Sequence, residues 1–284
     1  MKEALLFDDL KAETLDMSER GDGQHRVLKV DHGGTPLIIK VYGRKRGRVS
    51  TIVREILERS GGIKSSFSIP GRMQTERAVL DLWRREGFDV PKVLYADLLA
   101  HNSQPCVVME WIDGLSMAAV LKSSDTPLTR KQELVERFAS VTGKRHARAL
   151  ELQEVRLLTD HPTLSHILVA EDRLVHIDFE IVFTPKKDLE RLVRYELGGF
   201  LYSLAKVSKM QFPVFLRTFA AAYSSPERMH QVMTKLQKSG TVPIYRWLEL
   251  VPYYRFFRKY RTMAAVCSSQ ELLSQPTAAK AGNP

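Results

Sequence analysis

The sequence predicts an α+β protein in two lobes, and three observations predict it. The first third alternates short, apolar, β-branched runs with glycine-containing turns. That third carries one strong helical pattern, between Gln74 and Gly87. The remainder has mostly helical spacing, broken by one small strand pair near residues 166–177. With 44% hydrophobic and 27% charged residues over 284 positions, the chain can fill two cores.

Taken in order, Arg26 to Asp31 and Leu37 to Tyr42 read as two strands joined by a tight His-Gly-Gly turn at 32–34. SERGDGQ before them is a turn holding Gly21 and Gly23, so the start reads as a meander. A basic segment follows, whose later half has helical spacing at Ile52, Ile56 and Leu57. The helix from Gln74 places Ala78, Leu82 and Trp83 on one face, with Gly87 as its stop. VPKVLYADLL and QPCVVMEWIDG read as further strands, and Asp113-Gly114 turns the chain. LTRKQELVERFASVTGKRHARALELQ is mainly helical, and helices dominate again from Lys187. The expected division is 1–113, with a basic insertion at 43–72, then 114–267, then a disordered tail at 268–284.

Composition narrows the function classes. The acidic start, MKEALLFDDLKAE, lacks the apolar core of a secretory signal, so export is not expected. The apolar stretch Leu197 to Tyr223 is interrupted by Lys206, Lys209 and Arg217, which argues against a membrane span. Cys106 and Cys267 fit no metal spacing, and a reducing compartment without a disulfide is the default. The net charge of +10 favours an anionic partner: nucleic acid, acidic membrane or phosphorylated substrate.

Several residues could carry chemistry. Lys40 stands inside the apolar run LIIKVY, where an ammonium needs either a partner or a route to solvent along its own stem. Glu76 lies early on the next helix, VVMEWIDG connects the lobes, and Asp160 and Asp178 flank the later strand pair. This order resembles the bilobal protein-kinase-like fold, specifically its divergent bacterial small-molecule and lipopolysaccharide-core (heptose/Kdo) kinase branches, over roughly Arg26 to Leu204.

The resemblance implies an ATP- and Mg²⁺-dependent phosphotransferase. Lys40 would grip the nucleotide phosphates, held by Glu76, and backbone groups of Glu110 and Trp111 would meet adenine. Gly21 and Gly23 stand where phosphate-loop glycines belong. HIDFE resembles the metal-binding D-F-G segment, making Asp178 a metal ligand, and Asp188 resembles an aspartate opening the helix beneath the catalytic loop. Phosphoryl transfer needs positioning and charge neutralisation above all, which a lysine and two carboxylates supply.

Departures from the family pattern are equally specific. With Asp160 as catalytic base, Thr159 precedes it and Ser165 stands at the asparagine position, as a metal ligand through its hydroxyl. A second register, aligning HILV with N-I-L-V, puts His161 and His166 at those two positions. The Asp160 register is preferred. The D-F-G glycine is Glu180, which adds negative charge near the metal.

Arg44, Lys45, Arg46, Arg48 and Arg54 in the insertion, with the basic and aromatic stretch YRWLELVPYYRFFRKYRTM, suit an anionic glycolipid at a membrane interface. The expected acceptor is therefore a sugar hydroxyl of such a lipid, or a small molecule, at the cytoplasmic face of a bacterial inner membrane. Two other readings stay open: a non-catalytic pseudokinase serving as regulator or scaffold, and a basic nucleic-acid-binding protein.

Overall fold

The Gly33-Gly34 turn closes the first hairpin, with φ of 60° and 83°, the paired positive angles that a two-residue turn between right-twisted strands requires. Asp31 braces it by accepting the Gly34 amide at 2.8 Å. A computed structural model describes residues 12–17, 25–42, 63–65, 69–94, 105–183 and 188–238. The fold class is α+β, as the sequence predicts, and the described residues fall into two compact units.

The first unit comprises the described residues of Met1–Gly114, Val155–Asp160 and Leu168–Lys187. Its antiparallel sheet has the order β1-β2-β3-β5, from β1 (Ala12–Met17), β2 (His25–His32), β3 (Thr35–Tyr42) and β5 (Cys106–Glu110). Strand alternation sorts the side chains. Leu28, Val30, Leu37, Ile39, Val41, Cys106 and Val108 form one buried apolar layer with Leu94. Lys40 pairs with Val27 and Val107, so it projects from the opposite face. VPKVL, expected as a strand, makes only one isolated bridge among the described residues, Val93 to Met109.

β4 (Ile63–Ser65) pairs with β9 (Ile181–Phe183), and α1 (Ile69–Arg85) follows. The helix begins five residues before the expected Gln74. Ala78, expected on the packed face, is exposed. Leu82 and Trp83, expected there, are buried; with Arg72, Glu76, Val79 and Leu80 they make a face that includes two charged residues the apolar pattern did not count. Gly87 ends the helix at φ 81°. Phe88 N donates to Trp83 O at 2.8 Å and Gly87 N to Arg84 O at 3.0 Å, a Schellman closure.

Residues 155–160 and 168–183, read from the sequence as second-lobe segments, cluster with the first unit. Two contacts account for this: β9 completes the pair with β4, and the Trp83 indole donates to the Arg156 carbonyl at 2.9 Å. The strand pair β7 (Ile167–Ala170) and β8 (Arg173–His176) turns at Glu171, φ 50°.

The second unit holds β6 (Leu115–Ser116), α2 (Met117–Lys122), α3 (Leu128–Leu152), α4 (Leu189–Ser208), α5 (Phe212–Ala222) and α6 (Pro226–Lys238). Ser116 caps α2 by accepting the Ala119 amide at 3.2 Å. Phe138 of α3 meets Phe200 of α4 at 5.0 Å and Phe219 of α5 at 5.9 Å, and all three rings are buried. The stretch expected not to span a membrane forms α4 and α5; among the described residues no helix is long and apolar enough to cross one.

Candidate functional site

Three elements of the first unit converge on Lys40. β3 presents its ammonium, α1 presents Glu76, and the segment after β8 presents Asp178 and Glu180. The Lys40 Nζ lies 2.9 Å from Glu76, 2.8 Å from Asp178 and 3.0 Å from Glu180. Its side chain is 9% exposed, so its charge needs these partners. Burial alone would lower the Lys40 pKa, but Glu76, Asp178, Tyr42 and Glu180 together hold it well above the ordinary lysine value. The ammonium stays charged throughout the physiological range.

Glu76 is buried between two donors, Lys40 and the Tyr42 hydroxyl. Burial raises its carboxyl, an effect that Lys40 opposes. Tyr42 is two residues along β3 from Lys40 and therefore on the same face. Burial, with Glu76 beside it, pushes its phenol strongly upward, so it remains a neutral donor.

Glu180 divides its carboxylate. Oε1 faces Lys40 and Oε2 accepts from Arg72 NH1 at 3.2 Å. The pairing of Ser65 with Ile181 puts Glu180 next to the strand that leads into α1, whose first turns carry Arg72. Arg72 and Tyr42 are the participants the sequence reading missed. Both were accessible to periodicity: Arg72 is one turn before Glu76, and Tyr42 is i+2 from Lys40.

Asp178 has φ 71°, a left-handed conformation that aspartate tolerates better than most residues. Its side chain is 42% exposed while Glu76 is 2%, so it is the carboxylate open to an incoming cation. Phe179 next to it is buried, 4.8 Å from the Trp83 ring, and this fixes the segment to α1. Carboxylate oxygens of Glu76, Asp178 and Glu180 lie within 4.8 Å of one another. The Lys40 ammonium lies among them, and the half-exposed Asp178 carboxylate is the oxygen donor that fits a hard divalent cation such as Mg²⁺.

The other expected residues are distributed as follows. Asp160 belongs to the same unit and is buried, 6% exposed. Glu110 ends β5; its amide donates to the Lys92 carbonyl at 2.9 Å, so any adenine contact from Glu110 falls to its carbonyl. Trp111 carries the Lys29 ammonium 4.1 Å over its ring. Ser165 lies in the second unit, exposed, with its amide donating to Thr163 Oγ1 at 3.3 Å. In that unit the loop carrying Pro162 rests on α4. A Cβ on Gly199 would come 2.2 Å from Pro162, and Ser203 Oγ accepts the Leu164 amide at 3.0 Å. Asp188 precedes α4 without a side-chain capping bond. Gly21, Gly23, the arginines and lysine of 44–54, the aromatic and basic stretch near 245–263, and the tail lie outside the described residues.

No family model matches the sequence, and no curated protein does. Among solved structures the chain is similar to WaaP in complex with acyl carrier protein, at 16% identity over 89% of this chain and 90% of that one, TM-score 0.48. It is similar to an ethanolamine kinase of Plasmodium vivax, at 10% identity over 91% and 82%, TM-score 0.44. It is also similar to the aminoglycoside phosphotransferase APH(4)-Ia in a ternary complex with ADP and hygromycin B, at 10% identity over 91% and 96%, TM-score 0.42.

Proposed function

We propose that this protein is an ATP- and Mg²⁺-dependent phosphotransferase acting on a hydroxyl group. The observation that carries the reading is the Lys40–Glu76 pair at 2.9 Å with Asp178 2.8 Å from the same ammonium. A buried cation that stays protonated is suited to nucleotide phosphates, and a half-exposed carboxylate beside it is suited to their metal. Mg²⁺, when bound, neutralises phosphate charge and fixes the geometry for transfer.

In this mechanism Lys40 holds the phosphates, and Glu76 and Tyr42 keep Lys40 in place. Asp178 holds the cation, with Ser165 as the second ligand implied by the kinase-like register. Asp160 orients the acceptor hydroxyl and takes its proton as the oxygen attacks the terminal phosphorus. ADP leaves, and the phosphorylated acceptor follows. The acceptor class we favour is a sugar hydroxyl on an anionic glycolipid or a small molecule, at the cytoplasmic face of an inner membrane. The basic composition supports that class. The kinase-like division into residues 1–113 and 114–267 belongs to the same proposal.

The test is thermal unfolding of the wild type and Asp178→Asn, each with and without excess Mg-ATP. A ligand at a hundred times its dissociation constant adds about 2.7 kcal/mol, a shift of roughly 2–4 °C for a chain of this size. A magnesium-dependent shift in the wild type, absent from Asp178→Asn, is the expected result. No shift in either protein favours the pseudokinase reading. Two observations motivate that second reading: three carboxylates surround Lys40, and the asparagine position is Ser165.

A further inference from the structure

Lys40 has three N–H donors and three carboxylates within 3.0 Å, from Glu76, Asp178 and Glu180. If Lys40 grips phosphate, as the proposed function requires, one of these must give way. The three are not equally able to do so. Glu76 is buried, 2% exposed, and fixed by the Tyr42 hydroxyl as well as by Lys40. Asp178, 42% exposed, is the carboxylate open to the metal and leaves Lys40 for that cation when it binds. Glu180 already holds a second cation: its Oε2 is 3.2 Å from Arg72 NH1, and the Arg72 side chain is 4% exposed. Losing Lys40 would leave Glu180 paired in a buried setting, where an unpaired carboxylate is costly.

We propose that Arg72 and Glu180 form a phosphate-exchange pair for Lys40: an arriving nucleotide phosphate displaces the Glu180 carboxylate from the ammonium, and the Arg72 guanidinium retains it. Arg72 is then a positioning residue acting through Glu180. The acid at the glycine position of the metal-binding segment serves as an internal stand-in for phosphate on Lys40. The exchange needs no change in the helix, because the Arg72 bond exists before the Lys40 bond breaks. It also explains why an arginine occupies the buried stripe of α1, one turn before Glu76 and in line with Val79, Leu80 and Trp83.

The experiment is ADP binding in EDTA, by calorimetry, for wild type, Glu180→Gln, Arg72→Met, Arg72→Lys and the double variant Glu180→Gln/Arg72→Met. Omitting metal removes the cation that would draw Asp178 off Lys40. Glu180→Gln should tighten ADP about tenfold, and Arg72→Met should weaken it about tenfold, the scale of one charged hydrogen bond. Arg72→Lys should restore much of that loss. In the Glu180→Gln background, Arg72→Met should change ADP affinity little, because nothing remains for Arg72 to retain. Equal weakening by Arg72→Met in both backgrounds means Arg72 attracts the nucleotide directly, and that overturns the exchange. ADP binding by the wild type that Glu180→Gln leaves unchanged or weakens overturns it too, while the phosphotransferase reading stands. No ADP binding by wild type or Glu180→Gln, with or without magnesium, overturns both. Chemical denaturation of each variant identifies any that fail to fold, and the Arg72→Lys and Glu180→Gln pair still decides the question if Arg72→Met is one of them.

Discussion

The Trp83 indole stacks obliquely on Phe179, ring centres 4.8 Å apart, and its Nε1 donates to the Arg156 carbonyl at 2.9 Å. Trp83 is seven residues beyond Glu76 on the same helical stripe. One helix face therefore presents the partner of Lys40 at one end and the anchor of the Asp178 segment at the other.

That relationship predicts a graded response. Trp83→Ala should cost about 3–5 kcal/mol, the usual loss for a fully buried large aromatic. Trp83→Phe keeps ring contact but leaves the Arg156 carbonyl without its donor, a cost of about 1–3 kcal/mol. Urea denaturation measures both. A Trp83→Phe cost near zero would show that the indole N–H contributes nothing, and equal costs that the ring contact adds nothing beyond it.

Lys40 should be structurally as well as chemically important. Lys40→Met removes the cation shared by three carboxylates, two of them largely buried, and should destabilise the protein by roughly 3–5 kcal/mol. Adding Glu76→Gln to it should recover part of that loss, since one buried charge disappears. A double variant less stable than Lys40→Met would refute this account. Both should lose the Mg-ATP thermal shift.

The two registers of the catalytic loop predict different losses. If Asp160 is the base, Asp160→Asn lowers kcat by about 10²–10⁴ and leaves the Mg-ATP thermal shift in place. His161→Ala should then have little effect on kcat. The reverse pattern would assign the role to His161.

Most of the fold was legible because strands and helices announce themselves by period. β2, β3, β7 and β8 fall within a residue or two of their expected bounds, since alternation and the paired glycines leave little freedom. The start of α1 was missed because Ile69-Pro70-Gly71 reads as a turn, although proline in a first helical turn loses no hydrogen bond. Ala78 was misplaced because an alanine fits either face. Arg72 and Glu76 could occupy a buried stripe only because Glu180, Lys40 and Tyr42 meet them there, and those contacts span up to 108 residues of sequence. Local pattern carries no information about such pairings. The kinase-like order of motifs did point to Lys40, Glu76 and Asp178 as a set, and the structure brings those three together.

The last prediction concerns acid stability and rests on the second unit. His146 of α3 is fully buried, with Nε2 2.7 Å from Glu196 Oε2 and Nδ1 2.7 Å from the Tyr223 hydroxyl. A neutral ring satisfies both bonds: Nε2–H donates to the carboxylate, and Nδ1 accepts from the phenol. Burial, reinforced by the Arg145 and Arg228 charges, lowers its pKa despite the pull of Glu196. The native state thus resists a proton that the unfolded chain accepts near pH 6.5. Stability is fully present above that pH and falls as pH drops toward the lower native value, by up to about 1.4 kcal/mol per unit. Glu190, whose carboxyl Arg228 lowers by hydrogen bonding, acts in the same direction but only below the ordinary glutamate range. Urea midpoints between pH 7.5 and 5.5 therefore leave Glu190 out, and the difference between wild type and a His146 variant isolates His146 from other groups titrating there. The wild type should lose stability across that interval, and His146→Gln, which cannot titrate, should show a flatter profile even if its absolute stability is lower. An unchanged slope in His146→Gln would place the titrating group elsewhere.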